Sequence, residues 1–324
     1  MNKDNYMETA YNKPFIKNRA DPQIYKSDTG IYYFTGSVPE YDRIILRMGK
    51  TLSVLADAKE RIIWRKHETG DQSIHIWAPE LHKLWGKWYI YYAAGDKDDI
   101  WNIRPYVLEC TGDDPYMDEW REVGRMQAAK NDEFSFKAFS LDATVMQYNR
   151  DYYYIWAEKT GVGKMISNLY IAKMETPNKL ATDQVLLSTP DYPWERHGFW
   201  VNEGPAVLKK DDKIFLTYSA SDTSQAYCMG MLSLKEGADI LDPQNWKKER
   251  TPVLQTDQSA GIFGPGHNSF VKSDDNKTDL CVFHGRMYDE IKGDPLYDPN
   301  RHTMILKIKW DNNIPVFDFR NMLK

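Results

Sequence analysis

The chain has 324 residues, 14% of them aromatic with 11 Trp and 21 Tyr, enough to build a sizeable core. Charged residues make up 27%, the net charge is −5 and no block of five like charges occurs. This argues against nucleic acid or a membrane surface as a main partner, because counterion release needs clustered Lys and Arg.

Cys110, Cys228 and Cys281 are odd in number and far apart, without a C-x-x-C pair. That excludes a disulfide framework and a zinc site, and free thiols suit a reducing compartment. The N-terminal MNKDNYMETAYNKPF lacks the apolar run of a signal peptide, and no stretch of about 18 apolar residues occurs. The expectation is a soluble, cytoplasmic protein of one domain, residues 1–324, with oligomeric state left open and a homo-oligomer included.

In chain order, one pattern recurs five times: ADPQIYKSDTGIYYFTGS from Ala20, WAPELHKLWGKWYIYYAAG from Trp77, LDATVMQYNRDYYYIWAE from Leu141, EGPAVLKKDDKIFLTYSAS from Glu203 and PGHNSFVKSDDNKTDLCVFHGR from Pro265. Each opens on a small or polar residue near Pro or Gly, then reads apolar residue, polar turn and aromatic-rich strand. The apolar anchors Ile24, Leu81, Val145, Val207 and Phe270 fall 57, 64, 62 and 63 residues apart. Second strands are expected near Tyr32, Trp88, Tyr152, Ile214 and Leu280, the last delayed by an insert around Asp275-Asn276. Short aromatic and β-branched runs are punctuated by Gly, Pro, Asn and Asp, and long amphipathic helices are missing. The predicted fold is all-β, a five-bladed β-propeller with roughly 60 residues per blade. Five unrelated hairpins in a sandwich would not keep this spacing.

In a propeller the inner strand of each blade starts near the central channel. Three residues before the anchors stand Asp21, Ala78, Asp142, Gly204 and His267, with Glu203 one residue earlier still. Three carboxylates and one imidazole therefore gather around one axis. Taken singly, Asp21 and Asp142 read as turn residues and His267 as a core histidine; the shared repeat position favours a site. Like charges in a partly buried pocket push their pKa values apart, as hydrolysis of a glycosidic bond requires. Trp77 and other rim aromatics would offer apolar faces to a sugar ring.

At these residues the sequence resembles glycoside hydrolase family 43. The matching segments are Ala20-Asp-Pro22, Trp77-Ala-Pro-Glu-Leu-His82, Ser140-Leu-Asp142, Asn202-Glu-Gly-Pro205 and Gly264-Pro-Gly-His-Asn268, spread from about Ala20 to about Val316. Arg104-Pro-Tyr-Val-Leu-Glu109, Trp194-Glu195 and Tyr218-Ser-Ala-Ser221 look most like α-L-arabinofuranosidases that trim 1,5-arabinan from its ends. The resemblance implies Asp21 as general base, Glu203 as general acid and Asp142 as the carboxylate that orients the acid. It implies His267 beside a calcium ion in the channel, held mostly by water since one imidazole is a poor calcium ligand set, and Arg286 of His284-Gly-Arg286 against the sugar. The segment after Arg301-His302-Thr303 departs from it, with Met304 where a basic residue is expected. The implied function is an inverting, exo-acting α-L-arabinofuranosidase on arabino-oligosaccharides. A β-xylosidase, a bifunctional enzyme, a sugar-binding propeller and a protein-interaction propeller are the alternatives.

Overall fold

A computed structural model describes residues 13–160 and 166–323. The N-terminal segment read above as lacking a signal falls largely on residues 1–12, outside the described residues.

The chain folds as a five-bladed β-propeller. Blade one runs β1 (Ala20–Lys26), β2 (Tyr32–Ser37), β3 (Arg43–Gly49) and β4 (Arg61–Arg65), paired in that order. Blade two repeats this with β5 (Ile74–Leu84), β6 (Lys87–Asp96), β7 (Asp99–Cys110) and β8 (Trp120–Arg125). Blade three is β9 (Ser140–Tyr148), β10 (Asp151–Thr160) and β11 (Ile166–Thr176), with β12 (Lys179–Leu180) and β13 (Val185–Ser188) on its outer side. Blade four is β14 (Trp200–Lys210), β15 (Lys213–Ala220), β16 (Cys228–Lys235) and β17 (Lys247–Lys248). Blade five is β18 (Phe263–Lys272), β19 (Asp279–Arg286) and β20 (His302–Lys307). The second strands thus begin within one residue of the positions expected from the repeat.

The exposed edge of β20 is covered by both ends of the described chain. Ile16 bridges Thr303, whose carbonyl accepts the Phe15 and Ile16 N–H groups at 2.8 and 3.2 Å, and the Leu323 N–H donates to the Ile305 carbonyl at 2.8 Å. Covered edges do not template further pairing.

The core is divided among the junctions between blades. Each second strand alternates its side chains between two neighbouring clusters, as a period of two demands. Tyr33 packs toward blade two, while Tyr32 and Phe34 pack toward blade five. Tyr154 and Trp156 face blade two, and Tyr153 and Ile155 face blade four. Leu280 and Val282 face blade one, and Cys281 and Phe283 face blade four. Both faces of these strands are buried, so they read as unbroken aromatic and aliphatic runs rather than alternating ones.

The five inner strands share one defect. Asp21, Ala78, Asp142, Gly204 and His267 all have positive φ, at 49°, 46°, 46°, 55° and 45°. At each, the pairing with the second strand shifts register: between Ala20 and Gln23, Trp77 and Glu80, Leu141 and Ala143, Glu203 and Ala206, and Gly266 and Ser269. A bulge re-aims a side chain and releases its N–H from the ladder. At three junctions the preceding blade captures that N–H. Asp21 donates to His284 Nδ1 at 3.1 Å, Ala78 to Ser37 Oγ at 2.8 Å and His267 to Ser219 Oγ at 2.7 Å. A left-handed non-glycine residue costs roughly 1–3 kcal/mol and persists only where its surroundings enforce it. Four such residues at one repeat position mark the mouth of the channel. Its other end is a cavity of about 620 Å³ that includes Gln23, Glu80, Thr144, Ala206 and Ser269, the residue before each anchor.

Candidate active site

The bulges of blades one, three and five place Asp21, Asp142 and His267 together. His267 Nδ1 lies 3.4 Å from Asp21 Oδ1 and 3.5 Å from Asp142 Oδ2. All three side chains are buried and line a cavity of about 680 Å³, as does Glu203. Blade four carries its carboxylate one residue ahead of the bulge for a steric reason. A Cβ at Gly204 would stand 3.2 Å from the His267 ring, and the backbone there is left-handed. Glycine therefore takes the bulge. Glu203 stays in the ladder opposite Ser219, and the Gly204 N–H is aimed at Asp142.

The carboxylates differ in proton affinity because their neighbours differ. Burial would raise Asp21, but His267, Arg301 and His284 outweigh it and hold the carboxyl well below the usual carboxylate range. Ser37 Oγ donates to Asp21 Oδ2 at 2.5 Å, and Arg301 Nη1 is 3.5 Å from Oδ1. Burial, with Glu203 and Asp21 adding repulsion, pushes Asp142 up to about 8 against the pull of His267. Burial also raises Glu203, although Tyr227 donates to its Oε1 at 2.8 Å and His267 adds a further lowering influence. Asp142 and Glu203 form an interacting pair whose proton belongs to both. His267 is raised despite burial, because Asp142, Asp21 and Glu203 face it. At neutral pH the arrangement holds one ionised carboxylate on blade one and a proton shared between the carboxyls of blades three and four.

Trp77 lines the cavity, stacked on His75 at 4.4 Å and edge-on to Tyr41 at 5.8 Å. Arg286 is placed differently from the expectation. It is not among the lining residues; its guanidinium donates to the Thr223 and Pro295 carbonyls at 2.7 and 2.8 Å and lies 3.8 Å from Asp298. The arginine reaches two residues of the cavity wall from behind, so it shapes the wall instead of facing a sugar. Arg301 occupies the inner position. It lines the cavity, donates to the Tyr41 hydroxyl at 2.8 Å and touches Asp21.

Arg301, His284 and Tyr227 are absent from the repeat reading. The ring of His284 stacks on that of Tyr227 at 5.5 Å with an 8° tilt, joining the neighbourhoods of Asp21 and Glu203. Burial, with Arg301 and His267 adding to it, lowers His284 to about 3 although Asp21 opposes the shift. A neutral ring is also what lets Nδ1 accept the Asp21 N–H. Replacing Arg301 by Met removes a cation from beside Asp21 and so raises its pKa. The acidic limb of kcat/KM against pH is expected to move upward, while an unmoved limb would show that Arg301 does not set the charge of Asp21.

Among the described residues no group of three His, Cys, Asp or Glu side chains is arranged to hold a metal. His267 presents Nδ1 to two carboxylates, so of its two ring nitrogens only Nε2 would be open to calcium. Water would have to complete the shell of six to eight ligands that calcium prefers.

Residues 11–315 match Glycosyl hydrolases family 43. The chain is 45% identical over 315 residues to a Streptomyces avermitilis protein named extracellular exo-α-(1→5)-L-arabinofuranosidase, covering 95% of this chain and 64% of that one. It therefore spans just under two thirds of that relative's length. It is 45% identical to a protein of the same name from Streptomyces chartreusis, covering 88% of this chain and 85% of that one. The crystal structure of an α-L-arabinofuranosidase from Lactobacillus brevis superimposes with a TM-score of 0.88 at 48% identity, covering 94% of this chain and 95% of that one.

These relatives overturn the expectation of a cytoplasmic protein, since both curated Streptomyces proteins are named extracellular. The thiols misled for a physical reason. Cys110, Cys228 and Cys281 are free and buried, and burial heads the influences that raise each thiol. Separated, protonated thiols inside a core say little about the redox state outside it. Among the described residues no helix is long and apolar enough to cross a membrane.

Proposed function

The chain belongs to family 43 of the glycosyl hydrolases, and on that premise we propose that it is an inverting, exo-acting α-L-arabinofuranosidase of α-1,5-linked arabino-oligosaccharides. The observation that carries the mechanism is the convergence of Asp21, Asp142 and Glu203 on one cavity with unequal proton affinities. The names of the relatives support the sugar. A β-xylosidase could use the same carboxylates, but the names of the more similar relatives support the arabinofuranoside.

In this mechanism Asp21, held ionised, takes a proton from water as the oxygen attacks the anomeric carbon. Glu203 gives its proton to the leaving oxygen. Tyr227 already donates to Oε1, which leaves Oε2 to carry the proton that moves. Once it has moved, the same hydroxyl and His267 stabilise the new carboxylate. Asp142 orients this exchange through the Gly204 N–H, while burial, with the charge of Asp21 adding to it, favours the protonated form of Glu203. Trp77 gives the bound sugar an apolar wall.

Water attacks directly, with no covalent intermediate on Asp21, so an α-arabinofuranoside should first yield the β-anomer. Proton NMR in the first minutes reads this before mutarotation. An α-anomer as first product, or a glycosylated Asp21, would sink the assignment. Arabinose released from linear arabino-oligosaccharides, with little attack on xylo-oligosaccharides, supports the substrate. The reverse preference would replace it with the xylosidase.

Calcium belongs to the same proposal. The carboxyls of Asp21, Asp142 and Glu203 around His267 favour a positive charge there, which a calcium held by His267 and water would supply if bound. A ligand that binds only the folded state stabilises it by mass action. Chelation is expected to lower the melting temperature or the rate. If both stay unchanged and the purified protein contains no metal, His267 works as an imidazolium alone.

A further inference from the structure

Blade four buries a charged pair that the mechanism leaves unused. Glu195, in the turn Pro193–Glu195 ahead of β14, is fully buried and is not among the residues lining the active-site cavity. Its Oε1 accepts from Asn202 Nδ2 at 2.9 Å and from the Tyr218 hydroxyl at 2.8 Å, and its Oε2 accepts the Tyr192 N–H at 2.8 Å. The Lys248 ammonium, from outer strand β17, lies 2.8 Å from Oε1 and 3.0 Å from Oε2 and also donates to the Thr189 carbonyl at 2.6 Å. The turn itself is tied down. Ser221 Oγ donates to the Trp194 carbonyl at 2.8 Å, and the Trp194 indole N–H to the Arg250 carbonyl at 3.0 Å.

What this carboxylate grips decides what it can do. Asn202 immediately precedes Glu203, and Tyr218 immediately precedes Ser219, the residue paired with Glu203 across the ladder. Successive strand residues point to opposite faces. Glu195 therefore holds from one face the two strands that present Glu203 and Ser219 on the other. Ser219 in turn accepts the His267 N–H at 2.7 Å. The ladder does little to fix this end of β14. Register breaks between Glu203 and Ala206, which leaves only the pairs Asn202–Ala220 and Glu203–Ser219 joining β14 to β15 ahead of the bulge. Asn202 is also held from blade three, where Ser188 Oγ donates to its Oδ1 at 2.6 Å. An apolar cluster of similar volume often stabilises a fold as well as a buried ion pair does, but it has no direction.

We propose that Glu195 is a positioning residue for the general acid: by holding Asn202 and Tyr218 it fixes where Glu203 meets the leaving oxygen. The proposal rests on the reading of Glu203 as that acid. Glu195 touches neither the substrate nor the reacting atoms, and Lys248 is the counter-charge that lets it stay buried.

The test separates aim from folding by the leaving group. It compares α-1,5-arabinobiose, whose leaving alcohol needs the proton, with a dinitrophenyl arabinofuranoside, whose leaving group does not. Asn202→Ala cuts the link to β14 and leaves the Glu195–Lys248 pair in place. The ratio of kcat/KM for arabinobiose to kcat/KM for the dinitrophenyl glycoside should fall about tenfold or more, the scale of a misplaced catalytic group. Tyr218→Phe, which removes only the hydroxyl bonded to Glu195, should move the ratio the same way. Glu195→Gln combined with Lys248→Met removes both charges together and alters neither Glu203 nor its sequence neighbours; it should lower the ratio as well. Loss of folded protein lowers both substrates equally and leaves the ratio alone, so a partly unfolded variant still gives an answer. An unchanged ratio in Asn202→Ala and in the double variant overturns the proposal and makes Glu195 a structural residue. Glu203→Ala, measured beside them, tests the underlying reading. A lowered ratio there with an unchanged one in the other variants strikes the proposal alone. An unchanged ratio in Glu203→Ala removes the acid assignment and the proposal with it.

Discussion

Asp21→Asn should lose activity on every arabinofuranoside, activated aryl glycosides included. General-base help is typically worth roughly 10²–10⁴-fold, and nothing in the cavity can replace it. Asp142 and Glu203 are both raised, so neither is the stronger candidate to remain ionised at low pH, and neither shares the attachment of Asp21 to Arg301. The asparagine can still accept from Ser37, so the bulge should survive. Its stability should not be fully kept. A carboxyl with a lowered folded-state pKa contributes stability above its unfolded value, near 3.9, and loses that contribution as pH falls through the folded value. At neutral pH the amide forfeits it, and His267 and Arg301 lose their counter-charge. The melting temperature should therefore drop along with the rate, and circular dichroism should show a folded protein. Azide, a nucleophile that needs no base, should restore turnover on an aryl arabinofuranoside and give the inverted glycosyl azide. A loss confined to poor leaving groups would show that Asp21 is not the base.

The repeat was legible because a propeller imposes one geometry five times. Inner and second strands start at a fixed offset, and the bulge falls three residues before each apolar anchor. Asp21, Asp142 and His267 share that position, so their convergence could be read from spacing. Glu203 could be found only as a neighbour of the position, and the reason for its offset, the His267 ring above Gly204, exists only in three dimensions. Arg301, His284 and Tyr227 escaped for the same reason. Arg301 follows a long connection, His284 sits in a second strand and Tyr227 in a turn, so no shared offset links them to Asp21 or Glu203. Arg286 shows the converse error. A motif can place an arginine at the right strand end while leaving open which way it reaches, and here it turns to the carbonyls of Thr223 and Pro295. The long aromatic runs in the second strands carried the fold reliably because both of their faces meet a core.

Glu203→Ala should show the opposite profile from Asp21→Asn, with a loss that depends on what leaves. On arabino-oligosaccharides the departing alkoxide needs a proton, and removal of the acid should cost roughly 10²–10⁴-fold. On a dinitrophenyl arabinofuranoside the leaving group departs as a stable anion, and most of the activity should remain. Asp21 explains why the residual reaction is still fast. Its charge is held by His267, Arg301 and His284, all of which remain when Glu203 is removed, so the base survives loss of the acid. Plotting log kcat/KM against leaving-group pKa should give a shallow line for the wild type and a steep one for the variant. The pH profile should change on the alkaline side, where deprotonation of the acid pair no longer limits the rate. Asp142 complicates that limb, since its raised pKa partly reflects repulsion by Glu203 and should fall when Glu203 is gone. Parallel lines for the two proteins, with an equal loss on all leaving groups, would show that Glu203 positions the sugar and that the proton comes from elsewhere.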